Sequence, residues 1–187
     1  FLFHRFFQPL PFLFFFLWSK YLCTAEKGSI IAQRGRIMKE YTYISTDLEA
    51  THALGELLGK HAKENMVFLL DGDLGAGKTA LAQCIAKGLG IRRAVTSPTF
   101  TIQKIYHGRL NLYHIDAYRL ENTQQDLGFD EFFYDDGLTV IEWAQFVPYL
   151  IPEEYLKVSI TLEENGNRRF VMEAYGSEYE TLLEEIR

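Results

Sequence analysis

Apolar residues follow two rhythms along this chain. Val67, Phe68, Leu69 and Leu70 form an unbroken run, as does most of Leu138–Ile141, which suits strands buried on both faces. Leu48, Ala53, Leu54, Leu57 and Leu58 instead recur at helical spacing, opened by Ser45-Thr46-Asp47-Leu48-Glu49, whose side-chain acceptors suit a first helical turn. Gly59 and the polar run to Asn65 are expected to end that helix. A second helix is predicted from Lys78 to about Lys87, closed by Gly88 and Gly90. Val95–Thr101 reads as a loop entering a strand over 102–106. Gly108 makes a turn, and 110–116 is a further strand with an acid at its end. A helix is predicted from Thr123 within the polar stretch 121–136, then a strand over 138–143 containing Glu142. Strands over 156–162 and 169–174 read as a hairpin about the turn cluster Glu164-Asn165-Gly166-Asn167, and a helix over 179–186 follows. A β–α–β order of this kind favours a parallel or mixed sheet flanked by helices, with ligands at the carboxyl ends of its strands.

Composition changes this picture mainly at the beginning. Residues 1–18 hold eight of the 15 phenylalanines and no acid. Their longest apolar stretch, Phe12 to Trp18, is far shorter than the ~20 residues of a membrane span, and Pro9 and Pro11 interrupt any longer helix. A signal peptide would need a charged start, a longer apolar core and a small-residue cleavage site, of which only fragments occur. A membrane-surface anchor is a second reading, since Phe and Trp favour interfaces. We take the third, that 1–37 is a Phe-rich extension outside a domain spanning 38–187, which is of ordinary domain size.

Without that extension the charge is strongly negative. Five basic residues and one acid precede Met38, leaving 14 basic against 24 acidic residues, a net of −10. Such a domain repels a phosphate backbone, so contact with nucleic acid is expected only through a partner. Cys23 and Cys84 have no metal or redox spacing, and a reduced, cytoplasmic protein is the simpler reading.

The candidate chemistry lies between the first buried strand and the second helix. Gly72-Asp73-Leu74-Gly75-Ala76-Gly77-Lys78-Thr79 fits G-x-x-x-x-G-K-[ST] without a mismatch, in the strand–loop–helix setting that motif requires. Glycines let successive backbone N–H groups turn toward phosphate oxygens, and the helix N-terminus, through Ala80, adds partial positive charge. Lys78 supplies a point charge for the outer phosphates, and Thr79 a hydroxyl for magnesium. Asp116 and Glu142 both close apolar strands, where an acid can hold the metal directly or through water. Glu142 can equally orient an attacking water as a general base. Thr99, on a loop stiffened by Pro98, stands where nucleotide switches bring a hydroxyl to the γ-phosphate and metal. Lys78, Glu142, Asp116 and Thr99 are the catalytic candidates, and Thr79, Glu142 and Asp116 the metal candidates.

Four ordered motifs carry a resemblance: GDLGAGKT at 72–79, TSPTFT at 96–101, YHIDAYRL at 113–120 and VIEWAQ at 140–145. Over about 41–187 the chain resembles the bacterial TsaE (YjeE) family. Trp143 follows Glu142 as in that family's pattern, while Ala144 stands where proline is frequent. The resemblance implies a small P-loop ATPase that binds ATP and Mg2+, is weakly active alone, and serves threonylcarbamoyladenosine (t6A) formation on tRNA. It implies a partner, a TsaD–TsaB-like transferase heterodimer, with tRNA met only through that complex and ATP hydrolysis resetting the assembly. The expected fold class is α/β, a P-loop NTPase-like three-layer sandwich with a mostly parallel central sheet and a C-terminal β-hairpin. Two other functions fit the same loop: a small-molecule kinase, which would bring several arginines over the phosphoryl group, and a nucleotide-gated binding module. No N-K-x-D motif occurs to read guanine.

Overall fold

The structure, a computed structural model, describes residues 39–121 and 136–187. The extension 1–37, the boundary at Met38 and the helix expected from Thr123 lie outside the described residues. Seven strands form one sheet: β1 (Lys39–Ser45), β2 (Met66–Gly72), β3 (Gln103–His107), β4 (Asn111–Asp116), β5 (Gly137–Glu142), β6 (Tyr155–Leu162) and β7 (Arg168–Tyr175). Among the described residues, three α-helices accompany them: α1 (Leu48–His61), α2 (Lys78–Gly88) and α3 (Ser177–Glu185).

The strand order is β1-β7-β6-β2-β5-β4-β3. β6, β2, β5 and β4 run parallel, while β1–β7, β7–β6 and β4–β3 are antiparallel. The α/β fold and the C-terminal hairpin are as expected. The sheet, however, is mixed rather than mostly parallel, because its parallel pairings are confined to the centre. β1 has no counterpart among the predicted elements. Among the described residues it is an edge strand paired on one side only, and its half-buried Tyr41 and Tyr43 alternate with exposed residues, too weak a pattern to stand out.

The buried runs do what their composition requires. Met66, Phe68 and Leu70 of β2 enter the cluster beneath the helices, while Val67 and Leu69 enter a second cluster on the opposite face. Apolar residues of α1, α2 and α3 all join the first cluster. Among the described residues, the opposite face is covered by short 3-10 turns at Tyr118–Leu120, Ala144–Phe146 and Pro148–Leu150 instead of by α-helices.

Asp47 caps α1 by accepting from the Ala50 amide at 2.7 Å. Gly59 does not end that helix. It is buried within it, where α1 meets α2, and an added Cβ would lie 2.1 Å from the Ile85 carbonyl oxygen. The helix stops instead where Arg109 Nη2 donates to the carbonyls of Gly59, Lys60 and Ala62 at 2.8, 3.1 and 2.9 Å, taking up acceptors that the helix end leaves unpaired. No helix among the described residues is long and apolar enough to cross a membrane.

Candidate functional site

The parallel strands β2, β4 and β5 end side by side, and the candidate residues gather there. Gly72, Gly75 and Gly77 have φ of 142°, 82° and 114°, backbone conformations that side chains rarely adopt. At Gly72 the chain also passes so close to β6 that a Cβ would fall 2.4 Å from the Ile160 carbonyl oxygen. Asp73, Leu74 and Gly75 form the exposed crest of the loop, Ala76 turns inward, and Gly77 precedes α2. Lys78, Thr79 and Ala80 make the first turn of α2, whose free amides carry no side-chain cap. Backbone N–H groups are thus concentrated where the helix dipole is positive.

Lys78 is only 5% exposed. Its Nζ donates to the carbonyls of Gly72 and Asp73 at 2.6 and 2.8 Å and stands 3.9 Å from the centre of the Trp143 ring. Burial pushes its pKa below the usual lysine value, while the carboxylates of Glu142, Asp71, Asp116 and Asp73 act in the opposite sense.

Asp116 and Glu142 are direct neighbours across the β4–β5 ladder and are each 3% exposed. The Thr79 hydroxyl donates to Glu142 Oε1 and Oε2 at 2.9 and 3.1 Å, joining the first turn of α2 to the end of β5. Thr99 donates to Asp116 Oδ2 at 2.5 Å, with Ser97 Oγ 3.2 Å from the same oxygen, while the Tyr118 amide donates to Oδ1 at 3.0 Å. The two carboxylates therefore anchor different elements, Glu142 the phosphate-type loop and Asp116 the 96–101 loop. Lys104 Nζ steadies that second loop through Thr96 Oγ1 at 2.7 Å and the Ser97 carbonyl at 2.9 Å. All the residues named as catalytic and metal candidates thus meet at one end of the sheet.

Several further residues contribute beside the catalytic and metal candidates. His114, fully buried two residues before Asp116 and on the same face of β4, places Nε2 2.8 Å from Glu142 Oε1. Its position two residues from an acid in a strand was the available signal. Trp143 adopts a left-handed conformation with φ 61°, unusual for a bulky residue, and packs against Tyr118 and Phe146. Arg168, at the start of β7, donates from Nε to the Ala76 carbonyl at 3.2 Å. The other arginines do not form a lid among the described residues. Arg109 caps α1, Arg119 stacks on Phe100, Arg169 pairs with Glu163, and Arg92 and Arg93 are exposed.

Comparison with known proteins agrees with this arrangement. A family model described as "Threonylcarbamoyl adenosine biosynthesis protein TsaE" matches residues 45–170. The tRNA threonylcarbamoyladenosine biosynthesis protein TsaE of Bacillus subtilis is 43% identical over 150 residues, spanning 80% of this chain and 95% of its own length. The protein of the same name from Treponema pallidum is 40% identical, over 69% of this chain and 97% of its own. Among solved structures, the crystal structure of Bacillus subtilis YdiB superimposes with a TM-score of 0.72 at 37% identity, covering 81% of this chain and 97% of that one. With a family match over most of its described fold and relatives at 40–43% identity, this chain belongs to the TsaE family.

Proposed function

We propose that the protein is a magnesium-dependent ATPase that serves t6A formation on tRNA. The observation that carries this reading is the join between Thr79 and Glu142 directly beneath a glycine loop ending in Lys78. The residues fit a triphosphate and a divalent ion on their own chemistry. The glycines leave room above the loop, since a Cβ at Gly75 would touch nothing within 4 Å, and the amides of 78–80 are free to donate. Among the described residues no cluster of three or more His, Cys, Asp or Glu could hold a metal unaided. That suits magnesium, which is commonly held by one or two protein groups together with substrate phosphates and water.

On this reading Lys78 exchanges the Gly72 and Asp73 carbonyls for phosphate oxygens, and Thr79 and Glu142 hold the ion, with Asp116 beside them. Bound magnesium would neutralise charge developing on the phosphoryl oxygens. Thr99 and Asp116 form the sensing side, because their hydrogen bond joins the 96–101 loop to the strand end beside Glu142. On this reading Glu142 serves either as ion holder or as the base that orients water, both roles drawing on its buried carboxylate.

The role in t6A formation is supported by the names of the relatives. The acidic surface supports action through a protein partner, a TsaD–TsaB-like transferase heterodimer, with tRNA reached only in that complex. The paucity of arginines at the loop speaks against the kinase reading, since Arg168 alone among the described arginines touches it.

Isothermal calorimetry of the full chain with ATP and magnesium tests the proposal. Uptake of ATP is expected, reduced at least ~100-fold in Lys78→Ala, with free phosphate the product and hydrolysis rising when the heterodimer is added. Uptake unchanged by Lys78→Ala would refute it.

A further inference from the structure

We propose that His114 is a positioning residue for Glu142, selecting which carboxylate oxygen faces the reaction; this rests on the ATPase reading above. His114 is wholly buried on β4, and its Nε2 lies 2.8 Å from Glu142 Oε1, while Nδ1 is buried with no hydrogen-bond partner among the described residues. A carboxylate only accepts hydrogen bonds, so the contact requires the imidazole proton on Nε2. The same tautomer leaves Nδ1 as a bare lone pair, a lesser penalty than a buried N–H without an acceptor. The chain's own contacts therefore settle the ring's orientation and its proton together.

Glu142 Oε1 then receives two donors, His114 Nε2 at 2.8 Å and Thr79 Oγ1 at 2.9 Å. Among the described residues, Oε2 has only the longer 3.1 Å contact from the same hydroxyl. Pinning Oε1 from below stops the carboxylate from rotating and keeps Oε2 as the oxygen with spare acceptor capacity, available to a metal-bound water. Thr79 cannot do this alone, because its hydroxyl is shared between both oxygens. The role of His114 is thus to hold Glu142 still, without contact to substrate.

Long-range nitrogen–proton NMR of the full chain reads the proton directly. We expect Nε2 to carry it, Nδ1 to be bare, and the Nε2 resonance to move in Glu142→Gln. A proton on Nδ1, or a resonance indifferent to that substitution, would overturn the inference even if every variant at 114 failed to fold. In kinetics, His114→Leu should lower kcat by about 10- to 100-fold with KM for ATP within about threefold. His114→Gln, whose amide nitrogen can reach the Nε2 position, should recover most of the loss. A folded His114→Leu with wild-type kcat would equally overturn it. Should wild type take up no ATP while the proton sits on Nε2, the ATPase reading falls and the anchoring of Glu142 by His114 stands.

Discussion

Thr79 bears two duties that a single substitution can separate. Its hydroxyl joins α2 to Glu142, and on the proposed reading its oxygen also meets magnesium. Thr79→Val keeps the shape and removes the hydroxyl. ATP affinity without magnesium should stay within about threefold, while the gain from adding magnesium falls about tenfold or more, measured by calorimetry at varied magnesium. Trp143 shows a different economy at the same scale. A left-handed backbone at a bulky residue costs on the order of 1–3 kcal/mol. Stacking of its ring on Phe146, at 5.9 Å between centroids, and the Lys78 ammonium above it offset that cost. The motif made Lys78 and Thr79 legible in the sequence. The ring over Lys78 was not, since a helix residue and a strand-end residue 65 positions apart meet only after folding.

Among the elements, α1 and α2 approach unusually closely, and glycine makes this possible. A Cβ at Gly59 would stand 2.1 Å from the Ile85 oxygen, and one at Gly88 would stand 2.3 Å from the Glu56 oxygen. These obstacles are backbone atoms, which cannot swing aside as a side chain can. Gly59→Ala should therefore cost about 3 kcal/mol or more in urea unfolding, although alanine is the better helix former. Because α2 carries Lys78 and Thr79, a shift at this contact also reaches the site. In the sequence Gly59 reads as a stop signal, since glycine marks helix ends and helix–helix contacts alike. Only the neighbour at Gly88 distinguishes the two. The carbonyls at the end of α1 are met instead by Arg109, 47 residues beyond Ala62.

At the scale of the molecule, one buried phenol ties α3 to β2 and another stacks across the β6–β7 hairpin. Tyr179 Oη accepts from the Val67 amide at 2.8 Å, and Tyr155 stacks on Tyr175 at 4.4 Å. Burial pushes the pKa of each up to about 12 from an ordinary value of 10.0. A raised folded-state value favours the neutral phenol, so its contribution is complete below pH 10 and is lost as pH rises toward 12. Stability should accordingly fall between pH 10 and 12, and Tyr155→Phe and Tyr179→Phe should each flatten that decline in denaturant titrations at successive pH values. An undiminished slope in the double variant would show that the alkaline loss comes from elsewhere. The net negative charge of residues 38–187 belongs to this scale as well, for it opposes the approach of a phosphate backbone.

The local pattern of this chain determined most of its elements and the identity of its loop. Burial periodicity, glycines at positive φ and acids at strand ends are written within short stretches, and each has a local physical cause. Tertiary structure alone decided the rest. It set the antiparallel margins of the sheet, the pairing of β1 with β7, and the arrangement of Thr79 with Glu142 and of Thr99 with Asp116. It also brought His114 beneath Glu142. Those features depend on which strands become neighbours. Strand neighbours are chosen by the packing of the whole core, which no short window of sequence contains.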